Sequence, residues 1–237
     1  MKNVLVVAVD GNAGCGKSSI CATTCQKNGW VYINTGALYR GLGYLAHKEQ
    51  TKTENTDELS KLLENFSQNY SWDESSNSLN YKGVDISEFL IAEEVGFKAS
   101  QIASKKLVRE KLLPLQRNLI ESYKNQIVLV DGRDIGTVVY PDAPLKLFMS
   151  ASLEARAIRR LKQLEDSEQK HKMSLEELKK EMLKRDVNDS SREIAPLAKA
   201  EDAVLFDTSN LTFEECVIKL TQLVRETKTK QKNKENL

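Results

Sequence analysis

The sequence predicts an α/β protein, doubly wound about a buried parallel sheet. Three observations carry this reading. Short apolar runs rich in β-branched residues recur along the chain, helical patterning alternates with them, and a glycine-rich turn joins the first run to the first helix.

The first run, residues 4–9, is continuously apolar, as expected of a strand covered on both faces. A helix is expected from Lys17 to about Asn28, and residues 31–33 read as a second short strand. Residues 127–130 and 145–149 supply two further buried strands, and residues 203–206 a fifth strand. Ser174 with Glu177, and Thr212 with Glu215, fit the capping box that opens a helix. The last helix is expected to end near Glu226, leaving residues 227–237 as a polar, lysine-rich flexible tail.

Two regions interrupt the rhythm. Residues 35–108 contain a polar, serine-rich stretch at 66–86 that suits a small antiparallel meander. Residues 156–192 are highly charged, with helical stretches on either side of a polar run at 165–172. The expected division is a core of residues 1–34, 109–155 and 193–226 carrying these two insertions.

Composition narrows the class. The 237 residues carry 35 Lys and Arg against 34 Asp and Glu, a formal net charge of +1, so no nucleic-acid footprint is expected. No apolar stretch approaches the roughly 18 residues that span a membrane, and the N-terminal apolar run is too short for a signal peptide. The expectation is a cytoplasmic protein. Cys15, Cys21, Cys25 and Cys216 lack zinc-ligand spacing and read as buried free thiols, and His47 and His171 are too few for a histidine-based metal site.

Gly11-Asn12-Ala13-Gly14-Cys15-Gly16-Lys17-Ser18 matches the P-loop pattern G-x-x-x-x-G-K-S/T, with a strand before it and a helix after it. Glycines let backbone N–H groups converge on phosphate, and the helix N-terminus adds partial positive charge. Residues 11–18, with Ser19 following, are therefore the candidate ATP site, with Lys17 reaching the β- and γ-phosphates. Ser18 is the candidate Mg²⁺ ligand. Residues 127–131 form an apolar strand ending in Asp131, the form of a Walker B segment whose carboxylate supports the same ion.

Arg133, Arg156, Arg159, Arg160, Arg185 and Arg192 gather in and just before the second charged region. Guanidinium forks suit phosphate oxygens and could neutralise a phosphoryl group in transfer. Arg156 and Arg160 stand four apart, where like charges on one helix face repel, which favours function over a solvated ion-pair face.

Three further segments resemble the bacterial cytidylate kinase family. They are Thr35-Gly36-Ala37-Leu38-Tyr39-Arg40; Asp131-Gly132-Arg133-Asp134-Ile135-Gly136-Thr137 with Pro141-Asp142-Ala143; and Arg185-Asp186, Asp189, Arg192, Ala195-Pro196-Leu197 followed by Asp207-Thr208-Ser209. The match spans nearly the whole chain in order. It implies a three-layer P-loop core with a five-stranded parallel sheet, a monophosphate-binding insert domain at 35–108 and a helical lid at 156–192. It implies a monomer that transfers the γ-phosphoryl of ATP to CMP or dCMP with Mg²⁺.

Carried over residue by residue, the resemblance places Arg40 on the acceptor phosphate together with Arg133 and Arg192. Thr35 opens the same signature. Arg185 and Asp189 match positions near the sugar, and Ser100, Arg109 and Asp134 match positions that read the base. Cytosine offers an amino donor to Asp134 and acceptors to Arg109, whereas uracil sets a carbonyl against Asp134 at a cost of about 1–3 kcal/mol. Lys17, Arg133, Arg156, Arg160 and Arg192 are the candidate catalytic cations. No general base is required, because the attacking monophosphate oxygen is already ionised near neutral pH. Asn12 and Cys15 depart from the commoner loop residues.

Shikimate- or adenylate-type kinases carry other signatures after the second and third strands. A GTPase-like switch needs N-K-x-D, whereas the chain's Asn233-Lys234 runs into Glu235-Asn236.

Overall fold

The computed structural model describes residues 4–73, 76, 78–165 and 173–235. Its contacts group the chain into a core unit, Met1–Tyr32 with Tyr123–Leu237, and an inserted unit, Ile33–Ser122.

In the core unit, β1 (Leu5–Gly11) is buried at every residue, as its unbroken apolar run requires. It continues through Asp10 and Gly11, two residues past the expected end. Gly11 lies opposite Met149 on the neighbouring strand, and a Cβ there would fall 1.8 Å from the Met149 carbonyl oxygen. The first glycine of the P-loop is thus dictated by strand packing as well as by phosphate access. α1 (Lys17–Asn28) starts at Gly16, whose φ of 92° is left-handed, and ends at Gly29, which donates its N–H to the Cys25 carbonyl. Cys21 and Cys25 lie in the apolar cluster with Val7, Leu129 and Leu220. β2 (Val31–Asn34) then leads into the inserted unit.

There, α2 (Gly36–Lys48) and α3 (Thr56–Asn69) pack around Leu38, Leu42, Leu63 and Phe66. The Asn55 side chain caps α3 by accepting from the N–H groups of Asp57 and Glu58. The expected meander is present as β3 (Tyr70–Asp73), β4 (Ser78–Tyr81) and β5 (Val84–Asp85), antiparallel in that order, while residues 66–69 belong to α3. Phe66 is fully buried and stacks on Tyr70 at 5.4 Å. A 3-10 turn (Ser87–Ile91), α4 (Glu93–Ala103) and α5 (Lys106–Ser122) complete the unit. α5 sends Val108 and Leu112 into the inserted unit's apolar cluster, so this unit reaches Ser122 instead of stopping at residue 108.

The chain re-enters the core at β6 (Ile127–Asp131), followed by a π-turn (Ile135–Val139), β7 (Leu145–Ser150), α6 (Leu153–Glu165), α7 (Leu175–Ser190), β8 (Val204–Asp207) and α8 (Phe213–Glu235). The sheet is five-stranded and parallel, in the order β2-β6-β1-β7-β8, with the P-loop strand at its centre. Capping boxes open α7 at Ser174 with Glu177 and α8 at Thr212 with Glu215. The polar run between α6 and α7, with His171, falls almost wholly outside the described residues.

The tail expectation is corrected. α8 continues to Glu235, past the expected end at 226, because residues 227–235 contain no glycine or proline and are rich in lysine, which favours helix. All four cysteines are free and buried. Among the described residues, no helix is long and apolar enough to cross a membrane.

Candidate active site

The P-loop joins the centre of the sheet to α1. Lys17 is 5% exposed, and its ammonium donates to the carbonyls of Gly11 and Asn12, both at 2.8 Å, with the Cys15 sulfur at 3.6 Å. Both of these carbonyl partners are neutral groups. Ser18 and Ser19 lie exposed at the first turn of α1, where the N–H groups have no helical partner.

The Ser18 hydroxyl donates to the Asp131 carboxylate at 2.5 Å, and the Tyr32 hydroxyl donates to the same oxygen at 3.1 Å. β1 and β6 pair in register, with Val9 opposite Asp131, so the Walker-type carboxylate ends its strand beside the P-loop strand. A hydroxyl and a carboxylate oxygen in contact form the hard oxygen donor set that Mg²⁺ prefers, so these two residues fit that ion.

Beyond Asp131 the chain carries Arg133 and Asp134 into the π-turn. The Val9 carbonyl accepts the N–H of Gly132 at 3.0 Å. The Asp10 carboxylate accepts the N–H of Ile135 at 2.8 Å and of Gly136 at 2.7 Å. Burial pushes the Asp10 carboxyl up to about 6, against the pull of those two amide bonds, with nearby Asp134 adding to the rise. Asp134 is itself buried, at 6% exposure.

Arg133 pairs with Asp189 near the end of α7 at 3.1 Å, and Arg192 pairs with the other oxygen of the same carboxylate. Arg185 lies beside them. Burial pushes its guanidinium below the usual arginine range, and the positive charge of Arg133 adds to the effect. Its Nε has no hydrogen-bond partner among the described residues. Arg156 donates to the Ala13 carbonyl at 3.0 Å and pairs with Asp186 at 2.6 Å, which ties α6 and α7 to the P-loop. Arg160, one turn along α6, is half-buried. Arg159 serves another purpose, binding the hydroxyl and carbonyl of Thr208, whose own hydroxyl reaches the Cys15 and Ser150 carbonyls.

Within the inserted unit, Thr35 is the buried N-cap of α2. Arg40, on α2, donates to the Leu90 carbonyl, and its guanidinium lies against Gly96 of α4. Arg109, on α5, is 8% exposed, donates to the Ala103 carbonyl at 2.7 Å and lies over the Tyr39 ring at 5.7 Å. Ser100 is half-buried on α4. These side chains therefore sit on three helices of one unit.

Sequence reasoning missed the supporting residues Asp10 and Tyr32, and it gave Asp186 and Thr208 only as members of the third resembling segment, without a role. Asp10 carried a readable signal, an apolar strand ending in a carboxylate, the same form that marks Asp131.

The cytidylate kinase family model matches residues 7–226. Cytidylate kinases of Bacillus cereus and Bacillus anthracis are each 40% identical over 224 residues, covering 94% of this chain and 97% of theirs. Among solved structures, TT1252 from Thermus thermophilus aligns over 95% of this chain and 98% of its own, with 14% identity and a TM-score of 0.49. A gluconokinase from Sinorhizobium meliloti aligns over 97% and 98%, with 14% identity and a TM-score of 0.43. The extent of the family match and of the Bacillus alignments shows that the chain belongs to the cytidylate kinase family.

Proposed function

We propose that this protein transfers the γ-phosphoryl of ATP to CMP or dCMP, giving CDP or dCDP and ADP. The observation that carries the reading is the clamped loop after β6. It presents a guanidinium, Arg133, and a buried carboxylate, Asp134, at adjacent positions beside the P-loop strand. The first suits an acceptor phosphate and the second the amino group of cytosine.

The P-loop amides and Lys17 hold the triphosphate. Ser18 and Asp131 would hold Mg²⁺, which supplies charge neutralisation at the β- and γ-phosphates. Arg40, Arg133 and Arg192 bind the acceptor phosphate, Arg185 and Asp189 meet the sugar, and Ser100, Arg109 and Asp134 read the base, with Thr35 opening the acceptor signature. Arg156 and Arg160 supply further positive charge from α6. The acceptor oxygen is ionised before it attacks, so these residues act by positioning and charge rather than by taking a proton. α6 and α7 act as the lid that excludes water, a competing acceptor.

The test is coupled ADP production from ATP and Mg²⁺ with CMP, dCMP, UMP, AMP and shikimate offered separately. Turnover confined to CMP and dCMP is expected. Faster turnover with another acceptor would overturn the cytosine assignment, and folded protein with no acceptor-dependent turnover would overturn the kinase reading.

A further inference from the structure

Asp10 is the last residue before the P-loop, and a carboxylate there is electrostatically wrong for a loop that binds a triphosphate. Like charges repel strongly where burial lowers the dielectric. The side chain is 4% exposed, so water does little to mask it. Nothing in the P-loop pattern asks for a carboxylate at this place, since the loop works through N–H donors, a lysine and a hydroxyl. Its hydrogen bonds show where the compensation lies. Both oxygens are committed to consecutive amides, Ile135 and Gly136, just after Asp134. The Val9 carbonyl holds Gly132 on the other side. The end of β1 thus grips the backbone before and after the pair Arg133 and Asp134.

We propose that Asp10 is a positioning residue for the acceptor, fixing the backbone that carries Arg133 and Asp134 and thereby setting the preference for cytosine over uracil. The inference rests on the reading that this loop meets CMP. Two anchored amides leave the loop little freedom to slide, so Asp134 keeps a fixed distance from the base. An asparagine of the same shape accepts only one of the two N–H groups and turns its NH₂ toward the other, a donor facing a donor. The loop must then shift at the point where it reads the base.

The experiment compares wild-type protein with Asp10→Asn by circular dichroism, by affinity for a fluorescent ATP analogue, and by kinetics with CMP and UMP. The variant is expected to stay folded and to bind the ATP analogue within about threefold of wild type. Its KM for CMP should rise about tenfold or more, and the CMP-to-UMP ratio of kcat/KM should fall by on the order of tenfold, as expected when a charge-assisted hydrogen bond is lost. A folded variant with an unchanged ratio overturns the proposal. So does an equal loss of ATP-analogue and CMP binding, which a general support of the loop would produce. If Asp10→Asn does not fold, Asp10→Ser removes the charge with less bulk and carries the same expectations. Wild-type protein that does not prefer CMP would sink the cytosine reading itself. Wild-type preference retained by the variant would sink only the role of Asp10.

Discussion

The charge on Asp10 should be visible in the pH dependence of stability. Its folded pKa stands at about 6, raised chiefly by burial from an ordinary value of 3.8. A folded-state pKa above the unfolded one means that the folded protein favours the protonated carboxyl. The contribution of Asp10 is therefore fully present below pH 3.8, falls as pH rises towards 6, and is flat above that. The gap of about 2 pH units, at about 1.36 kcal/mol per unit, amounts to about 3 kcal/mol. Asparagine does not titrate, and its lost amide bond adds an offset that does not change with pH. Between pH 4.5 and 7.5 wild-type protein should accordingly lose about 2 kcal/mol relative to Asp10→Asn. Trp30 packs against the apolar cluster of the core unit and Trp72 against that of the inserted unit. Urea unfolding at several pH values, followed by Trp30 fluorescence in a Trp72→Phe background, reads the unit that contains Asp10. A stability difference that stays constant across this range would refute the reasoning, because it would mean that the carboxyl titrates alike in folded and unfolded protein.

Two other substitutions test the P-loop. Gly11→Ala places a methyl group 1.8 Å from the Met149 carbonyl oxygen, so β1 and β7 must part by more than an ångström, and thermal melting should fall by several degrees or the variant should not fold; a melting curve that matches wild type would count against the packing account. Lys17→Ala removes the ammonium held at the centre of the loop and should lower turnover by about 10²-fold or more while leaving the fold intact; near-normal turnover would end the proposed role of Lys17.

The centre of the core sheet was legible because β1 and β6 are continuous apolar runs covered on both faces, whereas the edge strand β8 leaves Val204 and Leu205 exposed and was readable only from its short apolar run. Helix starts were legible through side chains that satisfy orphan amides, as at Ser174 and Thr212. The ends were harder to read. Nothing in residues 227–235 stops a helix, and a solvated lysine-rich run looks the same in sequence whether coiled or helical. The limit of the inserted unit depends on where Val108 and Leu112 of α5 find apolar partners, which is decided by tertiary packing. At the site, the P-loop and Asp131 were readable because local backbone chemistry fixes their spacing. The contacts of Asp186 and Thr208 were not, since Asp186 acts on a guanidinium 30 positions away and Thr208 on a carbonyl 193 positions away.

Three arginines of the core unit are held by carboxylates of α7: Arg156 by Asp186, and both Arg133 and Arg192 by Asp189. Buried pairs of this kind add little net stability, because desolvation offsets most of the attraction. Their effect lies in orientation, since each guanidinium is fixed before an anion arrives, which lowers the entropy lost on binding. Arg185 differs from these three. Its pKa is depressed by burial and by neighbouring Arg133, and its Nε has no hydrogen-bond partner among the described residues. A cation whose charged form is disfavoured gains more from an incoming anion than one already neutralised, by the same linkage that couples pKa to binding. Under the proposed reading, Asp189 keeps the cluster from repelling itself apart in the ligand-free protein, and Arg185, assigned to the sugar, adds positive charge beside the arginines that take the acceptor phosphate.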